Sequence, residues 1–220
     1  MRKKLKIGVI TFPGSNCDHD IVRVLTDFFH AQTSLLWHAN VIRETYNLLV
    51  VPGGFSYGDY LRAGAIARFA PAMSSLQEHV RLGRPVLGIC NGFQILCEAG
   101  LLPGALIRNE NLKHICRTVE IKPHSSNSFT KHLKKDSYKI PISHSDGNYR
   151  ISEDGLKELQ DNNQIVFRYT ENPNGSVFDI AGIINKKNKV LGMMPHPERV
   201  VDPLNGGTDG FEIISSVLSL

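Results

Sequence analysis

Along the first half of the chain, short apolar runs alternate with stretches of helical periodicity. Residues 5–10 form an apolar run that stops at Thr11-Phe12-Pro13-Gly14-Ser15-Asn16, after which Ile21, Val24, Leu25, Phe28 and Phe29 recur at helical spacing. This predicts strand, loop, amphipathic helix. The alternation returns with strands over 34–37 and 48–51, the latter ending at Pro52-Gly53-Gly54, a helix over 71–82, and a strand over 85–89 that runs into a helix over about 92–99. Strands this short, apolar on both faces and separated by helices, imply an α/β fold with an open, mostly parallel sheet flanked by helices. Beyond residue 115 the texture changes. Residues 115–121, 139–144, 165–170, 180–184 and 190–194 read as successive strands joined by polar turns such as Asn172-Pro173-Asn174-Gly175 and Lys186-Lys187-Asn188. A mixed, partly antiparallel region is expected to extend the sheet, followed by a C-terminal helix carrying Phe211, Ile214 and Leu218. No repeat, low-complexity tract or linker interrupts residues 1–220, so one domain is expected.

Composition narrows the classes. With 220 residues, 41% of them hydrophobic and 21% charged, the chain suits a soluble globular protein and neither disorder nor a collagen-like or membrane class. Arg2-Lys3-Lys4 before an apolar run looks faintly like a secretory signal, but Lys6 breaks the run and no small-residue cleavage site follows. No apolar run approaches the roughly 18 to 20 residues of a membrane span, and the Ala-rich residues 63–73 are interrupted by Arg68 and Pro71. A cytoplasmic location is expected. A net charge of +4 is too weak, without a basic stripe, to argue for nucleic acid, and the Lys-rich residues 131–139 read as a solvated loop. Cysteines at 17, 90, 97 and 116 fit neither a disulfide framework nor a metal motif, so one that matters is expected to act as a thiol.

The sharpest chemical signal is Gly88-Ile89-Cys90-Asn91-Gly92, at the point where a buried strand turns into a helix. A nucleophile on such an elbow is held in a strained conformation above the sheet, and the residues two before and two after it must be small for the backbones to pass. Cys90 then faces the crevice at the carboxyl ends of the strands, and the helix N-terminus favours its thiolate. Cys97, on the same helical face, reads as core packing. The base is His196, in Met194-Pro195-His196-Pro197-Glu198. Each proline keeps the residue before it extended, so that Glu198, at i+2, reaches the ring of His196 and fixes its tautomer. The backbone N–H groups of Asn91 and Gly54 are the candidate oxyanion donors. His144 is the competing base, without a partnered carboxylate of matching length at i+2, where the shorter Asp146 stands. The chain contains no G-x-x-x-x-G-K-[ST] phosphate loop.

Gly88-Ile89-Cys90-Asn91-Gly92-Phe93-Gln94 together with His196-Pro197-Glu198 resembles the class I, triad-type glutamine amidotransferases. Residues 11–18 (Thr-Phe-Pro-Gly-Ser-Asn-Cys-Asp) and 52–64 (Pro-Gly-Gly-Phe-Ser-Tyr-Gly-Asp-Tyr-Leu-Arg-Ala-Gly) are similar, more narrowly, to the glutaminase subunits of phosphoribosylformylglycinamidine synthases. The resemblance spans essentially the whole chain. It departs at His144-Ser145-Asp146-Gly147, where the family usually has His-Gly-Glu-Gly. It implies a flavodoxin-like sheet and catalysis by Cys90, His196 and Glu198 through a γ-glutamyl thioester, with Gly54 and Asn91 at the oxyanion and Gln94 helping to hold glutamine. It implies no cofactor or metal in this chain. The ammonia would pass to a large, ATP- and Mg-dependent synthetase subunit that converts formylglycinamide ribonucleotide (FGAR) to formylglycinamidine ribonucleotide (FGAM) in purine biosynthesis, with a third small subunit completing the complex. Two other readings share parts of the pattern: a protease-like or chaperone-like hydrolase would need Cys90 but not Gln94, and a regulatory ligand-binding module would leave Cys90 unreactive.

Overall fold

A computed structural model of the chain describes residues 4–187 and 189–219; Arg2 and Lys3 of the basic start and Asn188 of the polar turn lie outside the described residues. The chain order is β1 (Lys6–Thr11), α1 (Asp18–Asp27), β2 (Gln32–Trp37), β3 (Leu48–Val51), α2 (Pro71–Arg81), β4 (Val86–Ile89), α3 (Asn91–Glu98), β5 (Ala105–Ile107), β6 (Ile115–Pro123), β7 (Tyr138–His144), β8 (Asn148–Arg150), α4 (Glu153–Asp161), β9 (Ile165–Tyr169), β10 (Ile180–Ile184), β11 (Val190–Met193) and α5 (Asp209–Leu218). Nine strands make one sheet in the order β2-β1-β3-β4-β11-β10-β9-β6-β7, and β5 pairs with β8 in a small second sheet. From β2 to β11 the neighbours are parallel, and from β11 to β7 they are antiparallel. The expected parallel half and its antiparallel extension are both present.

The central strands explain their own sequences. Every residue of β3, β4 and β11 is buried, because helices and the chain beyond them cover both faces. Helix α1 buries Ile21, Val24 and Leu25, and Asp18 and Asp20 sit in its first turn, where the helix dipole favours negative charge. Helix α5 turns Ile213, Ile214 and Val217 inward, whereas Phe211 is 40% exposed and stacks on Phe29 at a centroid distance of 4.7 Å. The stretch read as a Lys-rich loop becomes β7 at Tyr138, and its lysines are exposed.

Three elements carry no clear pattern in the sequence. Strands β5 and β8 have three residues each, too few to show a period. Helix α4 is polar around most of its circumference and fully buries Leu159; it is started instead by its cap, Ser152 Oγ accepting from Gly155 N at 3.2 Å.

One feature of the sheet positions the site. Strand β7 is its last strand, five places from β4, yet Cys90 Sγ lies 3.7 Å from the Ser143 carbonyl oxygen, and His196 N donates to the Pro141 oxygen at 2.9 Å. The antiparallel wing therefore curls back until the end of β7 stands over the carboxyl ends of β4 and β11. No helix among the described residues is long and apolar enough to cross a membrane.

Candidate active site

Strand β4, between β3 and β11, delivers Cys90 to the start of α3 with φ 51° and ψ −106°. A left-handed φ on a residue with a side chain costs about 1–3 kcal/mol, and the surrounding packing enforces it. A Cβ on Gly92 would lie 1.9 Å from the Val51 carbonyl oxygen, and one on Gly88 would lie 2.4 Å from Leu96 Cδ1 and 2.8 Å from the Gly92 oxygen. Both glycines are thus required by close approach. The thiol is buried and lines a cavity of about 350 Å³, shared with Gly54, Asp59, Gln94, Arg108 and Asp146.

Cys90 also neighbours the ring of His196, the expected base. His196 Nδ1–H donates to Glu198 Oε1 at 2.6 Å, with the two side chains only 3% and 1% exposed. The pairing is the expected one but the local geometry differs. His196 is near-extended (φ −101°, ψ 86°), whereas residues 197–199 form a single 3-10 turn, started by Pro197 with its preset φ. The turn, not an extended run, brings Glu198 under the ring. Burial alone would lower the pKa of His196, but the Glu198 carboxylate, and then the sulfurs of Cys90 and Cys17, outweigh it and hold the ring well above its ordinary value.

Cys17, which sequence reasoning left unassigned, belongs to this cluster. It is buried, and Arg199 Nη2 approaches its sulfur at 3.2 Å. A Cβ on Gly53 would sit 2.8 Å from His196 Cε1 and 3.2 Å from Cys17 Sγ, so the glycine pair after β3 also lets the His196 ring approach the backbone. Cys17, His196 and Glu198 place ligand atoms within 4.8 Å of one another, but Nδ1 is committed to Glu198 and the sulfur to Arg199, a poor setting for a cation. Cys97 packs in the core, where burial pushes its thiol well above the ordinary range, and Cys116 is exposed on β6.

Gly54 holds φ 151° against Ser15 and Gly14, where a Cβ would meet Ser15 Cα at 2.7 Å, and it lines the cavity. Asn91 stands at the first position of α3, and its side chain organises this wall: Oδ1 accepts from Ser56 N at 3.1 Å, while Nδ2 donates to Gln94 Oε1 at 2.8 Å and Asp59 Oδ1 at 3.3 Å. Gln94 lines the cavity, but its amide is engaged at both ends, with Nε2 donating to the Asp146 carbonyl at 2.6 Å. Burial, and then the charge of Asp146, push the Asp59 carboxyl up to about 6. Arg108 Nε lies 3.9 Å from Asp146 Oδ1. The cavity thus carries charges of both signs around a thiol, a fit for a zwitterion.

His144 is no rival base. Its Nδ1 bonds Asn109 Oδ1 at 3.0 Å, and burial, then the charges of His196 and His114, push its pKa down to about 4. Asn109, Asp59, Asp146, Arg108 and Cys17 are the site residues that sequence reasoning missed; a buried Asn in the loop between β5 and β6 offers no periodic signal.

A cysteine on a strand-to-helix elbow beside a buried His–Glu pair is the arrangement that triad-type cysteine acyl transfer requires. Over residues 4–208 the chain matches the CobB/CobQ-like glutamine amidotransferase domain family; it belongs to that family and is an enzyme of that class. Among solved structures it is similar to a chain of PurLQS from Thermotoga maritima, with 38% identity, a TM-score of 0.89 and 99% of each chain covered. It shares its fold with a GMP synthase-type protein from Thermoplasma acidophilum, at 16% identity and a TM-score of 0.70 over 100% of this chain and 94% of that one.

Proposed function

We propose that this chain is the glutaminase subunit of a phosphoribosylformylglycinamidine synthase, working as one catalytic unit. The observation that carries the chemistry is Cys90, held at φ 51° with the cavity on one side and the His196–Glu198 pair on the other; the full-length likeness to PurLQS supports the particular pathway. Cys90 Sγ attacks the γ-carboxamide carbon of glutamine. The negative oxygen is met by the N–H groups of Gly54 and Asn91, His196 delivers a proton to the leaving nitrogen, and ammonia departs from a γ-glutamyl thioester. Water, deprotonated by His196, then releases glutamate through the same oxyanion site. Glu198 holds the ring and its charge throughout. Asp59 and Asp146 face the α-ammonium of the substrate and Arg108 its carboxylate, while Gln94 fixes the backbone of that wall.

The ammonia feeds a large synthetase subunit that uses ATP and Mg to convert FGAR to FGAM, a third small subunit completes the assembly, and the complex works in the cytoplasm. Cys90→Ala in the assembled complex is expected to abolish glutamine-dependent synthesis while synthesis from added ammonium salt continues. Continued glutamine hydrolysis by that variant would refute the nucleophile assignment. Stoichiometric labelling of Cys90 by a glutamine-like electrophile separates this reading from a hydrolase of another specificity.

A further inference from the structure

The loop from β1 to α1, residues 12–17, lines no part of the cavity beside Cys90, yet it is laced to the chain that follows β3. Phe55 N donates to the Gly14 carbonyl at 2.9 Å, Tyr57 N to that of Pro13 at 2.7 Å, and Cys17 N to that of Gly53 at 3.2 Å. These bonds carry the Cys17 side chain to the edge of the His196 ring. The point above Gly53 that lies 2.8 Å from His196 Cε1 lies 3.2 Å from Cys17 Sγ, and the sulfur, a His196 ring nitrogen and a Glu198 carboxylate oxygen are within 4.8 Å of one another.

A ring that moves protons needs more than one support. His196 is tied at Nδ1 to Glu198 Oε1, and the second torsion of a histidine is broad, so this bond alone leaves the ring free to tilt about it. Nε2 is buried without a hydrogen-bond partner among the described residues, so no such bond holds that end. Proton transfer nevertheless requires Nε2 within hydrogen-bond reach of the reacting atoms. Cε1 lies between the two nitrogens, and contact there blocks the tilt; the Gly53 backbone and the Cys17 sulfur supply it. The sulfur is itself fixed, because the thiol donates to Asn16 Oδ1 and accepts from Arg199 Nη2, both at 3.2 Å. Arg199 belongs to the turn that carries Glu198, and its guanidinium also approaches Asp20 Oδ2 of α1 at 3.7 Å. Cys17 thus braces the ring directly and, through Arg199, the turn beneath it.

Taking the glutaminase reading as its basis, we propose that Cys17, backed by Arg199, is a positioning residue that keeps His196 Nε2 directed at Cys90 and at the leaving nitrogen. Cys17 forms no bond to substrate and takes no proton from it. The charged and titratable groups around the ring are Glu198 on its own turn, Cys90 on the elbow, Cys17 on the loop after β1 and His144 at the end of β7, with Arg199 behind Cys17. Glu198, Cys90 and Cys17 favour the charged ring against burial, so loss of Cys17 weakens that preference while Glu198 and Cys90 retain the larger part of it.

The test is made on the chain assembled with its synthetase partner, with glutamate release as the readout. Cys17→Ala is expected to lower kcat for glutamine roughly tenfold, the scale of one lost hydrogen bond and a loosened ring. KM should stay within about twofold, because Cys17 lies outside the cavity. The alkaline limb of the kcat profile should move to lower pH, and Cys17→Ser, which still accepts from Arg199, should recover part of both effects. Arg199→Met should reproduce the kcat loss, and the double variant should lose no more than about twofold beyond either single one, since the pair acts as a unit. An unchanged kcat, a loss confined to KM, an unmoved alkaline limb, a serine variant no better than alanine, or losses that multiply in the double variant each overturns the proposal. Cys17→Ser differs from the wild type by one atom and decides the matter alone where Cys17→Ala does not fold: its alkaline limb should also lie below that of the wild type, and a coincident limb overturns the proposal. An unlabelled Cys90 in the wild type after treatment with a glutamine-like electrophile overturns the glutaminase reading itself, whereas a labelled Cys90 beside an unmoved limb overturns only the role of Cys17.

Discussion

At the level of single residues the site sets burial against charge, and two carboxylates show opposite outcomes. Glu198 is the main group holding the His196 ring above its ordinary pKa against the effect of burial. In Glu198→Gln the main group opposing burial is gone, and acylation of Cys90 is expected to slow by roughly 10²–10⁴-fold, as for a triad deprived of its orienting carboxylate. The sign of the stability effect follows from the raised pKa. The stabilisation is complete below about pH 6.5, the ordinary value for histidine, and fades as the pH rises through the folded value. The gap in Tm between wild type and Glu198→Gln should therefore be widest on the acid side and close on the alkaline side in melts taken across that range. Asp59 is the contrary case, a carboxyl raised to about 6 by burial and by Asp146. The folded state then holds a proton that the unfolded chain releases near 3.8, so this group costs stability as the pH climbs from 3.8 to 6. Asp59→Asn should raise Tm at neutral pH by roughly 2–4 °C, a gain of about 1 kcal/mol after allowance for solvent screening, and should raise KM for glutamine. An unchanged KM would remove Asp59 from substrate recognition.

At the level of elements, the turn from β4 to α3 is limited by space. Alanine in a helix normally gains about 1 kcal/mol over glycine. At Gly92 the new methyl would meet the Val51 oxygen at 1.9 Å, so strand and helix must part. Overpacking of this kind costs about 1–3 kcal/mol or more, and Gly92→Ala should be destabilised by roughly 2 kcal/mol in denaturant melts, with Cys90 labelling lost. Gly100 is the control: it has φ +69° but nothing within 4 Å, and Gly100→Asn should cost little. The elbow was legible in the sequence because its constraint is local, two glycines and a cysteine within five positions. The parallel half was legible for a similar reason, since strands buried on both faces read as apolar runs. The His–Glu pair was legible in its spacing and not in its conformation, because prolines restrict the residue before them without choosing between an extended run and a turn. Helix α4 was not legible, having one buried leucine and relying on its cap. Nor was the wall made by β7: its approach to Cys90 depends on the curl of the whole antiparallel wing, and the Asn109 side chain that fixes it joins residues distant in the chain. Cys17 was missed on the same ground, since its neighbours Gly53, His196 and Arg199 come together only through the order of β1, β3, β4 and β11.

At the level of the whole molecule, the cavity is bordered by a loop whose free form carries visible strain. Tyr57, Asp59 and Leu61 all have positive φ, at 53°, 55° and 69°, among residues 55–64. Each such residue costs about 1 kcal/mol or more, and contacts from outside the loop hold them, among them Tyr57 Oη with His38 Nδ1 at 2.7 Å and Asn91 Nδ2 with Asp59 Oδ1 at 3.3 Å. The same segment exposes apolar side chains, with Tyr60 at 74% and Leu61 at 93% exposure, and Leu61 borders the cavity itself. A site that discharges ammonia beside uncovered apolar residues is suited to being covered while it works. Covering this segment would select among its conformations and, through Asp59 and its bond to Asn91 Nδ2, reach the start of α3 beside Cys90. Glutamate release by the isolated chain is therefore expected to be low, and to rise at least about tenfold when the synthetase subunit is added, a shift that needs only about 1.4 kcal/mol of differential binding. Amide hydrogen exchange over residues 55–64 should slow on the same addition, while exchange in the buried strands β3 and β4 stays unchanged. Full activity without the partner would show that the free conformation of this loop is already the working one, and coupling would then have to arise elsewhere than at the mouth of the cavity.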